Sequence, residues 1–504
     1  MNPSEDVLAA LRELRAGDLP THGGRTLAYV YDSGLSEVDS LGAAAHALAS
    51  SANGLDPTAF PSLLRMENDL VAAASALLGD VPGVVGSVTS GGTESCLLAV
   101  LAARDAHPGI AAPSIVLPTT AHAAFHKAAH LFGLRRIDVP VDPVTFRADP
   151  AAMAAAIDDS TVLVVASAPS YAHGVLDPVP EIAAAALERG VRTHVDACIG
   201  GWVLPYFARL GADVPPFDFR VPGVTSISVD LHKYAYCPKG TSVLLHASAE
   251  LRRTHYFASA AWPGYTMLNT TIQSTRSGGP LAAAWAVVNH LGSDGYLKLA
   301  SAAREAVARI RSGIEELPGL RVLGDPVSTL IAFTGDDGFD LFTVADEMKA
   351  RGWYVQPQFA FEASPANLHL TVTAANHGGE KEFLTDLAAS VDAARAAGPV
   401  VVDAAVAEFV AALDPATLTS EQFAGLVAAA GLGGASGLPE RMAPINALLA
   451  TAPAPLRERL LLEFLGALYT PSWGVWGGGG RRRTNTPTDC GGRRTPPPGE
   501  MRPA

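Results

Sequence analysis

The sequence predicts an α/β protein, with a mostly parallel buried sheet in a large domain and a smaller α+β domain after it. Three observations carry this. Between about residues 61 and 295, short apolar runs alternate with alanine-rich stretches of helical spacing; the runs include Ser114–Leu117, Thr161–Ala166, Arg192–Val195, Thr225–Val229 and Ser242–Leu245. Continuous apolar strands separated by helices are what a sheet covered on both faces requires. Beyond residue 296 the pattern shifts to fewer strands with helices outside them, and a chain of 504 residues is long enough for more than one core.

Residues 1–60 read as a short helix followed by an irregular, glycine-rich lead. Within 61–295, Ser87–Cys96 (S-V-T-S-G-G-T-E-S-C) places two glycines before a helix expected over Ser95–Ala106. Glycines let the backbone approach an anion, and free N–H groups at a helix start can hold a phosphate. An ordinary helix start would look the same. Val191–Gly201 reads as a short strand ending in Asp196, and in a parallel sheet ligands sit beyond the carboxyl ends of strands. A carboxylate there can keep a pyridine nitrogen protonated, or simply cap the next turn.

The third segment is Ser226–Gly240, S-I-S-V-D-L-H-K-Y-A-Y-C-P-K-G. Only six lysines occur in the chain, and Lys233 stands at a strand end where an arginine would serve as well for charge alone. A lysine, unlike an arginine, can lose its proton and attack an aldehyde, and an apolar pocket is expected to pull its pKa down. A solvated surface lysine is the plainer reading.

A helix beginning around Leu281–Leu291 is expected to bridge to the smaller domain, 296–398. There Leu330–Thr334 and Leu368–Thr373 read as strands of a mixed sheet, with helices Phe342–Ala350 and Glu380–Ala397 outside it. A helical extension is expected over 399–473, with no evident chemistry. The tail, 474–504, carries six arginines among prolines and glycines and is expected to be disordered; the composition break after Tyr469 favours an out-of-frame end over a polyanion-binding role.

A formal net charge of −14 argues against nucleic-acid binding as the main task. Mean hydropathy is +0.21, yet no uninterrupted apolar run reaches membrane-spanning length, so no transmembrane segment is expected. The start, M-N-P-S-E-D-V-L, lacks the basic residues and apolar run of a signal peptide. Cys96, Cys198, Cys237 and Cys490 show no metal-ligand spacing, which fits a reduced, cytoplasmic setting without a metal.

Together these motifs resemble the sphingosine-1-phosphate lyase family, a branch of the fold-type I pyridoxal-phosphate enzymes related to group II amino-acid decarboxylases. The matching segments are T-S-G-G-T-E-S at Thr89–Ser95, A-H-A-A-F at Ala121–Phe125, H-G-V-L-D-P-V-P-E at His173–Glu181 and H-V-D-A-C-I-G-G at His194–Gly201. They continue with F-D-F-R-V-P-G-V-T-S-I-S at Phe217–Ser228, the Lys233 segment, and S-T-R-S-G-G at Ser274–Gly279. The resemblance runs from about residue 20 to about residue 395 and implies a seven-stranded sheet, pyridoxal 5'-phosphate as cofactor and a homodimer. It also looks like the soluble bacterial form.

Carried over residue by residue, the resemblance implies that Lys233 holds the cofactor covalently and Asp196 pairs with its ring nitrogen. His122 would stack on the ring, while Gly92, Thr93 and His232 would meet its phosphate. Tyr31, Asn53, His173 and Lys239 would bind substrate. The reaction implied is cleavage of the C2–C3 bond of a sphingoid base 1-phosphate into a long-chain aldehyde and phosphoethanolamine. Amino-acid decarboxylation is the alternative, and an inactive homologue serving as a binding subunit is a third reading. One departure feeds the alternative: the family's N-P-L-H-P reads Asn53-Gly54-Leu55-Asp56-Pro57 here, so a possible phosphate donor becomes an acceptor. Asp56 either faces the pocket and repels a phosphate, or turns away to cap the Pro57 turn.

Overall fold

The computed structural model describes residues 3–419, 421–423, 425 and 440–469. The tail over 474–504 and part of the expected helical extension lie outside the described residues. The described residues divide into a large unit, running to Asp403 with a short later stretch ending at Ala450, and a small helical unit made of the rest.

The chain opens with helices α1 (Ser4–Leu14), α2 (Ser36–Ala49) and α3 (Pro61–Leu77). Strands and helices then alternate: β1 (Val85–Thr89), α4 (Gly92–Asp105), β2 (Ser114–Pro118), α5 (Ala124–Phe132), β3 (Arg135–Val139) and α6 (Pro150–Ala155). The alternation continues through β4 (Thr161–Ser167), α7 (Val179–Glu188), β5 (Arg192–Asp196), α8 (Gly200–Arg209), β6 (Val224–Val229), β7 (Ser242–His246) and α9 (Ala249–Arg253). Seven of these strands form one sheet in the order β1-β7-β6-β5-β4-β2-β3. Only β7 runs against its neighbours, so β1, β2, β3, β4, β5 and β6 all end at the same edge.

Both faces of the middle of this sheet are covered, which is why β2 and β4 are buried at every position. Ile115, Leu117 and Val165 pack under α4 and α5 against Leu97, Val100 and Phe125. The alternate residues Val116, Val164 and Val195 join the larger cluster with Ile182, Trp202 and Phe207 on the opposite side. The period-two direction of strand side chains thus serves two cores at once.

After the short hairpin β8 (Phe257–Ser259) and β9 (Met267–Asn269), α10 (Gly278–Glu316) leads into the second domain, breaking helical geometry at Gly292 (φ 53°). That domain holds β10 (Leu320–Val322), β11 (Leu330–Gly335), α11 (Leu341–Ala350), β12 (Gln356–Gln358), β13 (Asn367–Thr371) and α12 (Glu380–Ala397). Its core joins Phe333, Leu368 and Leu370 to Met348, Phe383 and Leu387. The small unit holds α13 (Ala404–Ala411), and α14 (Ala443–Thr451) and α15 (Ala454–Leu468) complete the described helices.

Two expectations are corrected. The four-stranded sheet of the second domain, in the order β10-β11-β13-β12, is wholly antiparallel rather than mixed. An apolar run marks a strand but not the direction of its neighbour, and three-residue β10 is too short to leave a pattern. The glycine-rich lead is also more regular than expected, since it contains the 14-residue α2. Only Val38 and Gly42 of α2 are buried, too few for a visible stripe, and Gly42 is there because a Cβ would stand 3.0 Å from Pro238 Cγ.

Phe125 is fully buried between the sheet and α4. Phe125→Ala should destabilise the large domain by about 3–5 kcal/mol. A urea midpoint equal to that of the parent protein would show that the site collapses without cost.

Candidate active site

Five of the six strands that end together deliver five polar segments to one place. Ser90–Thr93 follow β1, His122 follows β2, Ser167 and Tyr171 follow β4, Asp196 and Cys198 follow β5, and Asp230–Lys233 follow β6. These residues line a cavity of about 370 Å³. The crevice expected beyond the strand ends is therefore present, and it gathers Gly92, Thr93, His122, Asp196, His232 and Lys233.

The loop after β1 is tied down by side chains. Thr89 Oγ1 and Ser95 Oγ lie 2.7 Å apart, and Ser95 Oγ is 2.9 Å from Ser242 Oγ on β7. Glu94 accepts from the Ser90 N–H at 2.7 Å and from the Ile272 N–H at 2.9 Å. Gly92 and Thr93 stand in the first turn of α4, two to three residues earlier than the helix start read from the sequence. Gly92 cannot be replaced at no cost: a Cβ would stand 2.7 Å from both Asp230 Oδ2 and Cys198 Sγ. His232 flanks the same loop, with its Cε1 3.5 Å from where a Gly91 Cβ would be.

Asp196 Oδ1 accepts from the Cys198 N–H at 3.1 Å and from Ser228 Oγ at 3.4 Å. Behind it, His194 places Nε2 3.2 Å from Ser228 Oγ, and burial pushes that imidazole down to about 4. The spacing of the cysteines gave no sign of a cluster, yet Cys96 and Cys198 offer sulfurs that lie with an Asp196 oxygen within 4.8 Å of one another.

Lys233 Nζ lies 3.0 Å from Asp230 Oδ2, and the Asp230 side chain is only 2% exposed. Burial alone would lower the ammonium, but Asp230 leads the nearby groups that more than offset it, so its pKa is raised. This corrects the expectation of a lysine titrating low in an apolar pocket: the pocket supplies a counter-ion. Burial pulls His232 down despite Asp230, whose Oδ2 is 3.6 Å from His232 Nε2. His122 is exposed, accepts from the Ala124 N–H at 3.1 Å and stands edge-on to Tyr171.

The four expected substrate residues divide. Tyr31 and Lys239 come together, with Lys239 Nζ 4.7 Å from the Tyr31 ring centre and donating to Tyr29 O at 2.9 Å. Lys239 is exposed as a residue, but burial around its ammonium, which meets Tyr29 O and the Tyr31 ring, and the charge of Lys233 bring it to about 8. His173 sits elsewhere, stacked on Phe146 at 4.1 Å with Nε2 2.9 Å from Ser364 Oγ. Burial pushes it down to about 4, so it is neutral where it stands. Asn53 Oδ1 accepts from the Leu55 and Arg276 N–H groups, fastening its turn to the start of α10. Asp56 is exposed and accepts from Thr58 N, Thr58 Oγ1 and Ala59 N; it caps the Pro57 turn, and the Thr58 hydroxyl leads in holding its carboxyl below the usual range.

Sequence reasoning gave no role to Asp230, Glu94, Ser167 or Tyr171. Asp230 had a readable signal, a carboxylate three residues before the lysine in D-L-H-K. The others are located only by the fold.

The donor set fits pyridoxal 5'-phosphate. An amine, a strand-end carboxylate and a helix start surround a cavity in which Ser167 Oγ, Asp230 Oδ1 and His232 Nδ1 are buried without a hydrogen-bond partner. Residues 21–335 match the pyridoxal-dependent decarboxylase conserved domain. Residues 404–467 match the putative C-terminal HTH domain of pyridoxal-dependent enzymes. In that stretch six carboxylates stand against three arginines, the wrong balance for holding DNA phosphates.

The sphingosine-1-phosphate lyase of Dictyostelium discoideum is 42% identical over 348 residues, covering 69% of this chain and 65% of that protein. The chain thus spans about two thirds of that relative's length. The sphingosine-1-phosphate lyase of Oryza sativa is 39% identical, covering 79% of this chain and 74% of the relative. The solved structure of a Burkholderia pseudomallei sphingosine-1-phosphate lyase matches with a TM-score of 0.74 at 39% identity, over 79% of this chain and 92% of that one. With this cavity and these relatives, the chain belongs to the sphingosine-1-phosphate lyase family of pyridoxal-dependent enzymes.

Proposed function

We propose that the protein is a pyridoxal-phosphate-dependent lyase that cleaves the C2–C3 bond of sphingoid base 1-phosphates, giving a long-chain aldehyde and phosphoethanolamine. The observation that carries this is the convergence of Lys233, Asp196 and the Ser90–Thr93 loop on one cavity, with Lys239 and Tyr31 paired nearby. Lys233 would bond the cofactor aldehyde, Asp196 would face its ring nitrogen, and His122 would cover the ring. The N–H groups of Gly92 and Thr93, with His232, would hold its phosphate. When bound, the cofactor supplies an electron sink for the pair released by the breaking bond.

The chain's own residues do the rest. Asp196, fixed by two donors, stays in place as a hydrogen-bond acceptor for the ring N–H. Lys233, paired with Asp230 at 3.0 Å, would serve as a proton carrier whenever its amine is free. Lys239 supplies a cation for the substrate phosphate. His173, buried and neutral, is poorly suited to that task, and Asn53 serves by shaping its turn.

Decarboxylation is the alternative, since the same sink accepts electrons from a departing carboxylate. The turn-capping pose of Asp56 removes the feature that most favoured it. An inactive binding subunit would have no need of the buried Asp230–Lys233 pair. We place the protein in the cytoplasm, where Cys96, Cys198 and Cys237 would stay reduced; they are unpaired here. No described helix is long and apolar enough to cross a membrane. A homodimer accounts for the exposed apolar residues of α1 (Val7, Leu8, Leu11 and Leu14) and of the hairpin region (Phe257, Trp262, Tyr265 and Leu268).

The deciding experiment is product analysis of cofactor-loaded protein given sphinganine 1-phosphate beside a panel of L-amino acids. Aldehyde with phosphoethanolamine is expected; carbon dioxide and an amine, with the lipid untouched, would overturn the proposal. Lys233→Ala should abolish turnover and borohydride fixation of cofactor while retaining the fold, and residual turnover near the parent rate would refute the assignment.

Lys239→Ala should raise KM for a phosphorylated substrate roughly tenfold more than for an unphosphorylated one. The charge of Lys239 is complete well below pH 8 and is lost as pH rises through about 8. KM for the phosphate ester should therefore climb above that pH, and a flat profile would exclude Lys239 as the phosphate cation.

A further inference from the structure

Cys96 on α4 and Cys198 after β5 are both free thiols on the wall of the cavity. Their sulfurs and an Asp196 carboxylate oxygen all lie within 4.8 Å of one another. A tetrahedral ion with Zn–S bonds of about 2.3 Å and a Zn–O bond of about 2.0 Å holds its donors roughly 3.5–3.8 Å apart. Closing the three donors onto such an ion therefore takes shifts of roughly 1 Å.

A second observation points to a cation at the same place. A Cβ on Gly92 would stand 2.7 Å from Cys198 Sγ, and 2.7 and 2.8 Å from the two oxygens of Asp230, so that carboxylate faces the sulfur across a single point. The Asp230 side chain is 2% exposed, and its Oδ1 is buried with no hydrogen-bond partner among the described residues. Two carboxylates, Asp196 and Asp230, thus border the thiol pair. Lys233 neutralises only one of them, through Asp230 Oδ2 at 3.0 Å.

We propose that the cofactor-free protein holds a thiophilic divalent cation, zinc or a metal of its class, on Cys96, Cys198 and Asp196, and that this cation and the cofactor exclude each other. Sulfur donors select such ions over magnesium or calcium. Three protein ligands leave a fourth position, which faces the cavity and is open to water. On binding, each S–H bond breaks as a Zn–S bond forms, both protons pass to the solvent, and nothing is oxidised.

Exclusion follows from a shared ligand. The cation takes the Asp196 carboxylate that the ring nitrogen of the cofactor requires, and a protonated ring is repelled by a divalent ion beside it. The exclusion rests on the reading of Asp196 as the partner of that nitrogen; the cation site itself rests on the sulfurs. Cys96 has no part in holding the cofactor, so Cys96→Ala removes the site and leaves the cofactor's own ligands in place.

The test uses untagged, reduced, full-length protein freed of cofactor, loaded with zinc or cobalt(II), and desalted before pyridoxal phosphate is added. The cobalt form of the parent should show the intense visible bands of thiolate ligation. Zinc should slow cofactor uptake by about tenfold or more, and a chelator should restore it. Cys96→Ala should lose the bands and take up cofactor as the metal-free parent does, with or without zinc. A parent without thiolate bands, or Cys96→Ala with the same bands, overturns the cation site.

Should Cys96→Ala fail to fold, X-ray absorption of the zinc-loaded parent decides. Two sulfur neighbours are expected, and a shell of nitrogen and oxygen alone overturns the site. Parent protein that binds zinc through two sulfurs, yet takes up cofactor at its metal-free rate, would overturn the exclusion and with it Asp196 as the partner of the ring nitrogen.

Discussion

An ammonium group at the end of a buried strand needs a buried counter-charge, and the pairing of Lys233 with Asp230 organises much of the cavity. Unpaired, either charge would cost several kcal/mol in the interior. Paired, they fix the turn after β6, with the Lys233 N–H bonded to Asp230 O, and set the side chains at 3.0 Å. Asp230 in turn occupies the space that any side chain at position 92 would need, so the glycine of the loop is a consequence of the carboxylate across from it.

The sheet supplies the second condition. Because β7 alone is reversed, six parallel strands present their carboxyl ends at one edge, and polar residues from five of them meet there. Ile115, Val116 and Leu117 are apolar in succession because the faces of β2 pack against different clusters. The cavity opens at the strand ends, beyond the part of the sheet that both layers of helices cover.

This explains what could be read from the sequence. Uninterrupted apolar runs between helices reveal a covered parallel sheet, and the residues just past them are the candidates for chemistry; Asp196, His232, Lys233, Gly92 and Thr93 all follow that rule. The rule fails where position depends on partners far along the chain. His173 opens one of the motifs but stands against Phe146 and Ser364 and is not among the residues that line the cavity around Lys233. The Cys96–Cys198 approach joins a helix to a strand end a hundred residues on, which spacing cannot show. The direction of strands in the second domain was hidden for a related reason, since β13 pairs on one side with β11, across the whole of α11. Asp230 was visible but overlooked, because a carboxylate near a lysine on a surface turn means little. Burial is what gives the pair its force.

Asp56 illustrates how a substitution at a motif position is judged by geometry rather than by charge. On charge alone, a carboxylate in place of histidine argues against a phosphorylated substrate. In the fold its oxygen is already engaged by two backbone N–H groups and a hydroxyl of its own turn, and it faces solvent. A carboxylate satisfied in this way gains nothing by rotating inward, where it would forfeit those bonds and also approach the anion it repels. On the proposed reading, selectivity for phosphate comes from cations, and Lys239, which contacts Tyr29 O and the face of Tyr31, is the candidate. Its closeness to Lys233, which lowers its own affinity for a proton, is what a phosphate ester of a reacting amine would require, because one molecule must reach both.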